Sequence, residues 1–228
     1  MDDASLIAAL QLADSFFPSG MITLSHGLET FLSIQSSAPV DIARLLDNYL
    51  RSKIAPCDLV AYVHAYRAAE ASDLSRLQEI DHLLTAALVP QELRQSSARS
   101  GRALLVTLQT LVDAPLFQRF CQTVQTGESA GNAAVCLGVL CVAWSIPLRA
   151  GALVHLYTFA ISFLSAALRL GHVGHREVQR LLLALRPQLP PLVDNALTCD
   201  LADMSAFAPL ADIRAMQHAY LPVRLFSS

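Results

Sequence analysis

LFQRFCQTVQTGESAGNAAVCLGVLCVAW, residues 116–144, admits two readings, and the choice between them decides the fold. At its centre, Gly127-Glu128-Ser129-Ala130-Gly131 has the form G-x-S-x-G, the strained turn that carries the nucleophilic serine of α/β-hydrolases from a strand into a helix. The helix that follows is credible. The strand that should precede it is missing, because Leu116, Phe117, Phe120 and Val124 fall at helical spacing. No HGGG-like segment lies upstream to supply oxyanion donors, and no strands are present to build a parallel sheet. Ser129 is followed by Asp194, Asp200 or Asp212 and then by His218, which is the hydrolase order, but any mid-chain serine meets that condition easily. The competing reading has Gly127 ending one helix, Ser129 in the first turn of the next, and Gly131 and Gly138 allowing close packing. It needs no sheet and is the one adopted. A serine hydrolase built on Gly127, Ser129 and Gly131 is the alternative, and a fluorophosphonate probe would label it at Ser129.

Outward from this stretch the chain reads as helix after helix. Asp41 and, before it, Pro39 precede IARLLDNYL, where Ile42, Leu45, Leu46, Tyr49 and Leu50 share a face. Pro56 opens a segment in which Leu59, Val60, Val63 and Tyr66 recur at helical spacing. Ser72 can cap a third, with Leu74, Leu77, Ile80, Leu84 and Leu88 inward. Pro90 starts one that runs to about Val112, and Asp113-Ala114-Pro115 starts another with a proline in its first turn. Further helices are expected over about 128–146, 147–170, 175–186, 190–199 and 209–221. Prolines fall between the periodic segments, no hairpin signal occurs and no linker divides the chain. The expectation is one all-α domain over residues 1–228, a single compact bundle of about ten helices.

Composition narrows the function. Charged residues are 15% of the chain and hydrophobic ones 54%, against about 25% charged in an ordinary soluble protein. A large core is available, with apolar surface left for a partner. Net charge is −3 without any basic block, which argues against nucleic acid as a partner. Fifteen of the sixteen basic residues are Arg; the one lysine is Lys53. The acidic start lacks the positive region of a signal peptide, and five cysteines without a CxxC pair read as buried thiols in a reducing cytoplasm. Residues 150–168 carry no formal charge and approach membrane-spanning length, but His155, Thr158, Ser162, Ser165 and Arg169 form one stripe at helical steps. Such a stripe suits a central bundle helix packed closely on several neighbours, and no membrane association is expected. His172 and His175 have no third ligand type nearby except Glu177, so an exposed hinge is the better reading. No catalytic, cofactor-binding or metal constellation assembles.

The first thirty residues differ in kind. LQLADSFFPSGMITLSHGLETF begins as a helix, breaks at Phe17-Pro18-Ser19-Gly20 and restarts at Ser25-His26-Gly27-Leu28-Glu29. A glycine in a young helix costs about 1 kcal/mol against alanine, and close approach of another backbone best explains Gly27. This stretch resembles the N-terminal signature of the urease accessory protein F (UreF) family, matched at Leu10, Gln11, Leu12, Ala13, Pro18, Gly20, Ser25, Gly27, Leu28 and Glu29. Ser165, Ala166, Arg169, Leu170, Gly174, Gln179 and Leu181 resemble a second family stretch. Pro209, Leu210, Ala211, Ile213, His218, Arg224, Leu225 and Phe226 resemble the family's C-terminal tail. Residues 30–125 agree in length and helicity only. Asn132 and Ala133 stand where the family often has His, and Ala219, Pro222 and Ser227 depart from the usual tail.

The resemblance implies a non-catalytic, dimeric, all-α protein. It would bind accessory protein D (also called H), recruit the GTPase accessory protein G, and take part in nickel insertion into urease apoprotein. Residues 1–30 and 209–228 would then meet partners, with Pro18, Gly20, Ser25, Gly27, Glu29, Arg169, His218, Tyr220, Arg224, Leu225 and Phe226 as the candidate partner-binding residues. Glu29, Arg169 and His218 are their polar members. They are expected to line or support the surface facing the GTPase or the metal path, or else Glu29 and Arg169 form a structural ion pair. A tail with Val223, Leu225 and Phe226 leaves apolar area in water unless it docks. Burying a Leu or Phe is worth about 1.5–3 kcal/mol, and docking on a partner is preferred here to docking on this chain's own core.

Overall fold

A computed structural model describes residues 1–33 and 40–227, with Ile22 by its backbone alone. Pro39, read as a helix breaker, lies outside the described residues. The helices are α1 (Asp3–Ala13), α2 (Leu28–Ser33), α3 (Ile42–Tyr49), α4 (Val60–Glu70), α5 (Leu74–Ala87), α6 (Gln91–Leu108), α7 (Pro115–Thr126), α8 (Ala133–Ala143), α9 (Leu148–Arg169), α10 (His175–Leu185), α11 (Leu189–Thr198) and α12 (Pro209–His218). Short 3₁₀ turns occupy Met21–Thr23 and Leu201–Asp203, and no strand occurs among the described residues. The all-α expectation is borne out.

At the centre lies α8, buried without interruption from Ala134 to Cys141 and packed on α4 and α6. A helix apolar on every side has no other stable place in a water-surrounded fold. Beside it runs α9, which by length and composition alone could cross a membrane. Ten of its residues are buried here, and it packs on α1, α8, α10 and α11. His155, Thr158, Ser162 and Ser165 of its stripe line a cavity of about 90 Å³ beneath the segment from Leu12 to Met21.

The GESAG stretch is a loop, not a helix start. Gly127, at φ +84°, ends α7 as expected, but α8 begins only at Ala133, so Ser129 is outside both helices. The cause is Asp81 on α5. Its buried carboxylate accepts from Gly131 N (2.9 Å), Asn132 N (2.8 Å) and Asn132 Nδ2 (2.8 Å), holding these donors away from a helical path. Gly101 of α6 lies directly beneath, where a Cβ would come within 2.1 Å of the Gly131 carbonyl oxygen. The hydrolase alternative fails on the same ground: a helix precedes Ser129, and the serine is buried with no hydrogen-bond partner for its hydroxyl.

Two other boundaries differ from expectation. The cap of α5 is Asp73, whose side chain accepts from Arg76 N, and not Ser72. Pro56 opens no new helix. It lies inside a π-helical segment, Leu50–Leu59, that joins α3 to α4 in one continuous rod. Proline has no N–H to give to the helix; beside it, the Ser52 carbonyl accepts from Phe207 N (2.9 Å) and the Pro56 carbonyl accepts from Ser205 N (3.0 Å). The strand-like stretch before α12 is thereby hooked to the π segment. Lys53, also buried there, pairs with Asp212 in the first turn of α12.

Candidate functional site

These attachments lay α12 across α2 and α6, so the two ends of the chain meet. Gly27 makes the approach possible. It sits at φ +80°, just ahead of α2, and a Cβ there would lie 3.2 Å from Ala215 N on α12. The close approach of another backbone inferred from the sequence is that of α12.

Beyond Gly27, Glu29 is buried in the first turn of α2, where its charge also suits the helix dipole. One carboxylate oxygen accepts from Leu225 N (2.8 Å); the other faces His218 Nε2 (2.8 Å) and Phe226 N (3.3 Å). The second ring nitrogen of His218 lies 2.8 Å from Glu92 on α6, and Glu92 also accepts from Arg224 (3.2 Å). Both ring nitrogens of His218 thus lie within hydrogen-bond distance of a carboxylate. This arrangement leaves no ring nitrogen of His218 for a serine. Phe226 is buried, with the Arg169 guanidinium 4.2 Å from its ring centroid. Such stacking adds about 0.5–2 kcal/mol to the burial of the ring. Past it, Ser227 N donates to the Thr23 carbonyl (3.0 Å) and Arg99 reaches the Ser227 hydroxyl (3.1 Å).

The outcome for the sequence candidates is mixed. Gly27, Glu29, Arg169, His218, Arg224 and Phe226, scattered over three stretches, converge on one clasp around the tail. Pro18 and Gly20 lie in the exposed turn that leads to Thr23, and Ser25 is buried beside the clasp. Phe226 departs from the expectation of partner contact, being turned into this chain's own core. Tyr220, Val223 and Leu225 point outward, 87%, 76% and 70% exposed, so the tail divides its apolar side chains between core and solvent. Glu92, Arg99 and Thr23 belong to the clasp and were not singled out. Nothing in their local sequence marks them, since each acts on a residue more than a hundred positions away.

A second polar region lies under the N-terminal segment. Ser162 donates to the Met21 carbonyl (2.7 Å) and so accepts from His26 Nε2 (3.2 Å), while Tyr49 donates to the His26 carbonyl (2.6 Å). These bonds tie the N-terminal signature to α9 and α3. Nearby, a cavity of about 70 Å³ is lined by His26, Lys53, Asp58, His155 and Ser100 among others. One Asp58 oxygen and His155 Nε2 are buried there without a partner. Burial pushes the Asp58 carboxyl up to about 6 and both imidazoles, His26 and His155, down to about 4. His172 and His175 are exposed, and no group of three or more His, Cys, Asp or Glu arranged to hold a metal occurs among the described residues.

Comparison with known proteins gives a consistent result. A sequence model of the UreF family matches residues 37–186, which includes the middle of the chain where the motif resemblance was weakest. A protein of Trichodesmium erythraeum (strain IMS101) named urease accessory protein UreF is 33% identical over 235 residues, covering 100% of this chain and 98% of that relative. A protein of Yersinia pseudotuberculosis serotype IB (strain PB1/+) with the same name is 31% identical over 230 residues, covering 100% of both.

Proposed function

The chain belongs to the UreF family of urease accessory proteins, and from that premise we propose that it is a non-catalytic adaptor in urease maturation. It binds accessory protein D (or H), recruits the GTPase accessory protein G, and supports delivery of nickel, as cargo, to urease apoprotein. It works in the cytoplasm as a homodimer of single-domain subunits. The observation that carries this reading is the convergence of family-motif residues from both chain ends on a clasp that presents Tyr220, Val223 and Leu225 to solvent. A monomeric soluble protein rarely leaves large apolar side chains together in water without a partner for them.

Deleting the gene should leave urease synthesised but free of nickel, with activity restored by the wild-type copy. Complementation with Glu29→Ala, Arg169→Ala or His218→Ala should fall well short of it. Full activation by all three variants, each soluble at wild-type level, would remove the clasp from the functional surface. Nickel-loaded urease in the deletion strain would remove the function itself.

A further inference from the structure

The first helix is turned inside out. Its core side consists of Ser5, Ala9 and Leu12, two of them small, while Leu6, Ile7 and Leu10 face solvent at 43%, 64% and 62% exposure. An ordinary surface helix puts its large apolar residues inward. Here Ser5 donates to the Ser145 carbonyl (2.9 Å), and Leu12 is the one large side chain that the helix buries. The outward stripe continues: from Leu6 and Leu10 the next step, Ala13, is at the mouth of the 90 Å³ cavity, whose walls include Phe17, Val154 and Ile161. Phe16 stands beside it, 93% exposed. A ridge therefore leads into a hole large enough for an incoming methyl or larger group.

Charge says what covers it. Asp2, Asp3 and Asp14 are exposed at the two ends of this helix. The sequence from residue 1 to residue 43 contains no Lys or Arg at all. A second copy packed antiparallel on the same face would bring Asp2 and Asp3 against its Asp14, and like charges so juxtaposed oppose association. We infer that α1 is a docking surface for a different protein, one that offers an apolar ridge flanked by Lys or Arg, with one of its side chains entering the cavity beside Ala13. The surface rests on the adaptor reading above and gives it a second, acidic face, on a different segment from the tail.

The test is binding of the purified full-length chain to purified accessory protein D/H, accessory protein G and urease apoprotein of the same source. Ile7→Glu/Leu10→Glu should weaken one of the three interactions at least about 100-fold, with the far-UV spectrum and melting temperature unchanged because both positions face water. Asp3→Lys/Asp14→Lys leaves the apolar stripe intact and should slow association with that same protein about 10-fold at low salt, the difference vanishing at high salt. Unchanged binding of all three proteins by both variants would overturn the inference and leave the adaptor reading standing. So would self-association of the wild type that Ile7→Glu/Leu10→Glu abolishes, since the occupant would then be a second copy. Wild-type protein that binds none of the three would sink the adaptor reading, and this surface with it.

Discussion

Asp81 and Glu29 are both carboxylates sealed under irregular backbone, and they hold it by different means. Asp81 receives only neutral amide donors, from Gly131 and Asn132, and the loop it holds is locked sterically against Gly101. Glu29 faces the imidazole of His218 and the tail amides of Leu225 and Phe226; one aromatic ring is all that the tail buries near it. The first arrangement is woven into the core between α5, α6 and α8. The second lies at the edge of the core, which the tail enters only with Phe226. The lesson is that a buried acid is structural or releasable according to what surrounds its donors, not according to its own burial.

The largest effect should follow removal of the first. Asp81→Ala orphans two backbone amides, of Gly131 and Asn132, at about 1–3 kcal/mol each, while the Asn132 side-chain amide keeps Thr85 and the Asp81 carbonyl, and urea denaturation should show global stability reduced by about 2–5 kcal/mol. A loss under about 1 kcal/mol would break the contrast. Glu29→Ala should act locally instead. Tryptic cleavage after Arg224 should accelerate at least about 10-fold, because cleavage follows the population of the open tail. Global stability should fall only about 1–2 kcal/mol. A global loss as large as that of Asp81→Ala would make the two acids equivalent.

Asp58 sharpens the comparison by reversing its sign. It borders a cavity, and one of its oxygens is unpartnered. With its folded-state value raised from 3.8 to about 6, its contribution to stability is full below pH 3.8 and is lost as pH rises through about 6. Asp58→Asn should therefore stabilise the protein at pH 7, by about 1–2 kcal/mol once solvent in the cavity is allowed for, and change nothing below about pH 3.8. His26 and His155 act oppositely. Held neutral down to about 4, they contribute stability above pH 6.5 that is lost as the pH falls towards 4. Wild-type stability should accordingly decline on acidification through that window. Destabilisation by Asp58→Asn at pH 7 would show that the carboxylate has a partner there after all.

The sequence carried the class of fold because periodicity and proline placement are local properties. It carried the meaning of Gly27 as well, since a glycine where a helix should prefer another residue signals a neighbour even when the neighbour is unknown. It did not carry the length of the GESAG loop. Residues 128–132 have no feature that forbids helix, and the carboxylate that unwinds them is fifty positions away on α5. Pro56 misled for a related reason: a proline breaks a helix unless its surroundings accommodate it, and the π-helical turn around Pro56, with Phe207 and Ser205 donating to the Ser52 and Pro56 carbonyls, is known only from the fold. In the clasp, Glu29, Arg169 and His218 were recognisable from motifs, whereas Glu92 looked like any acid in the first turn of a helix.

The pairing of Lys53 with Asp212 has a practical consequence. The only lysine in the chain is buried in an ion pair, so side-chain amines are all but absent from the molecular surface. Acylating dyes and lysine cross-linkers, the usual means of mapping assemblies by mass spectrometry, will leave its side chains unmodified even where it sits at the heart of a complex. Reagents for carboxylates, or for the half-exposed thiol of Cys199, are the ones that will register its neighbours.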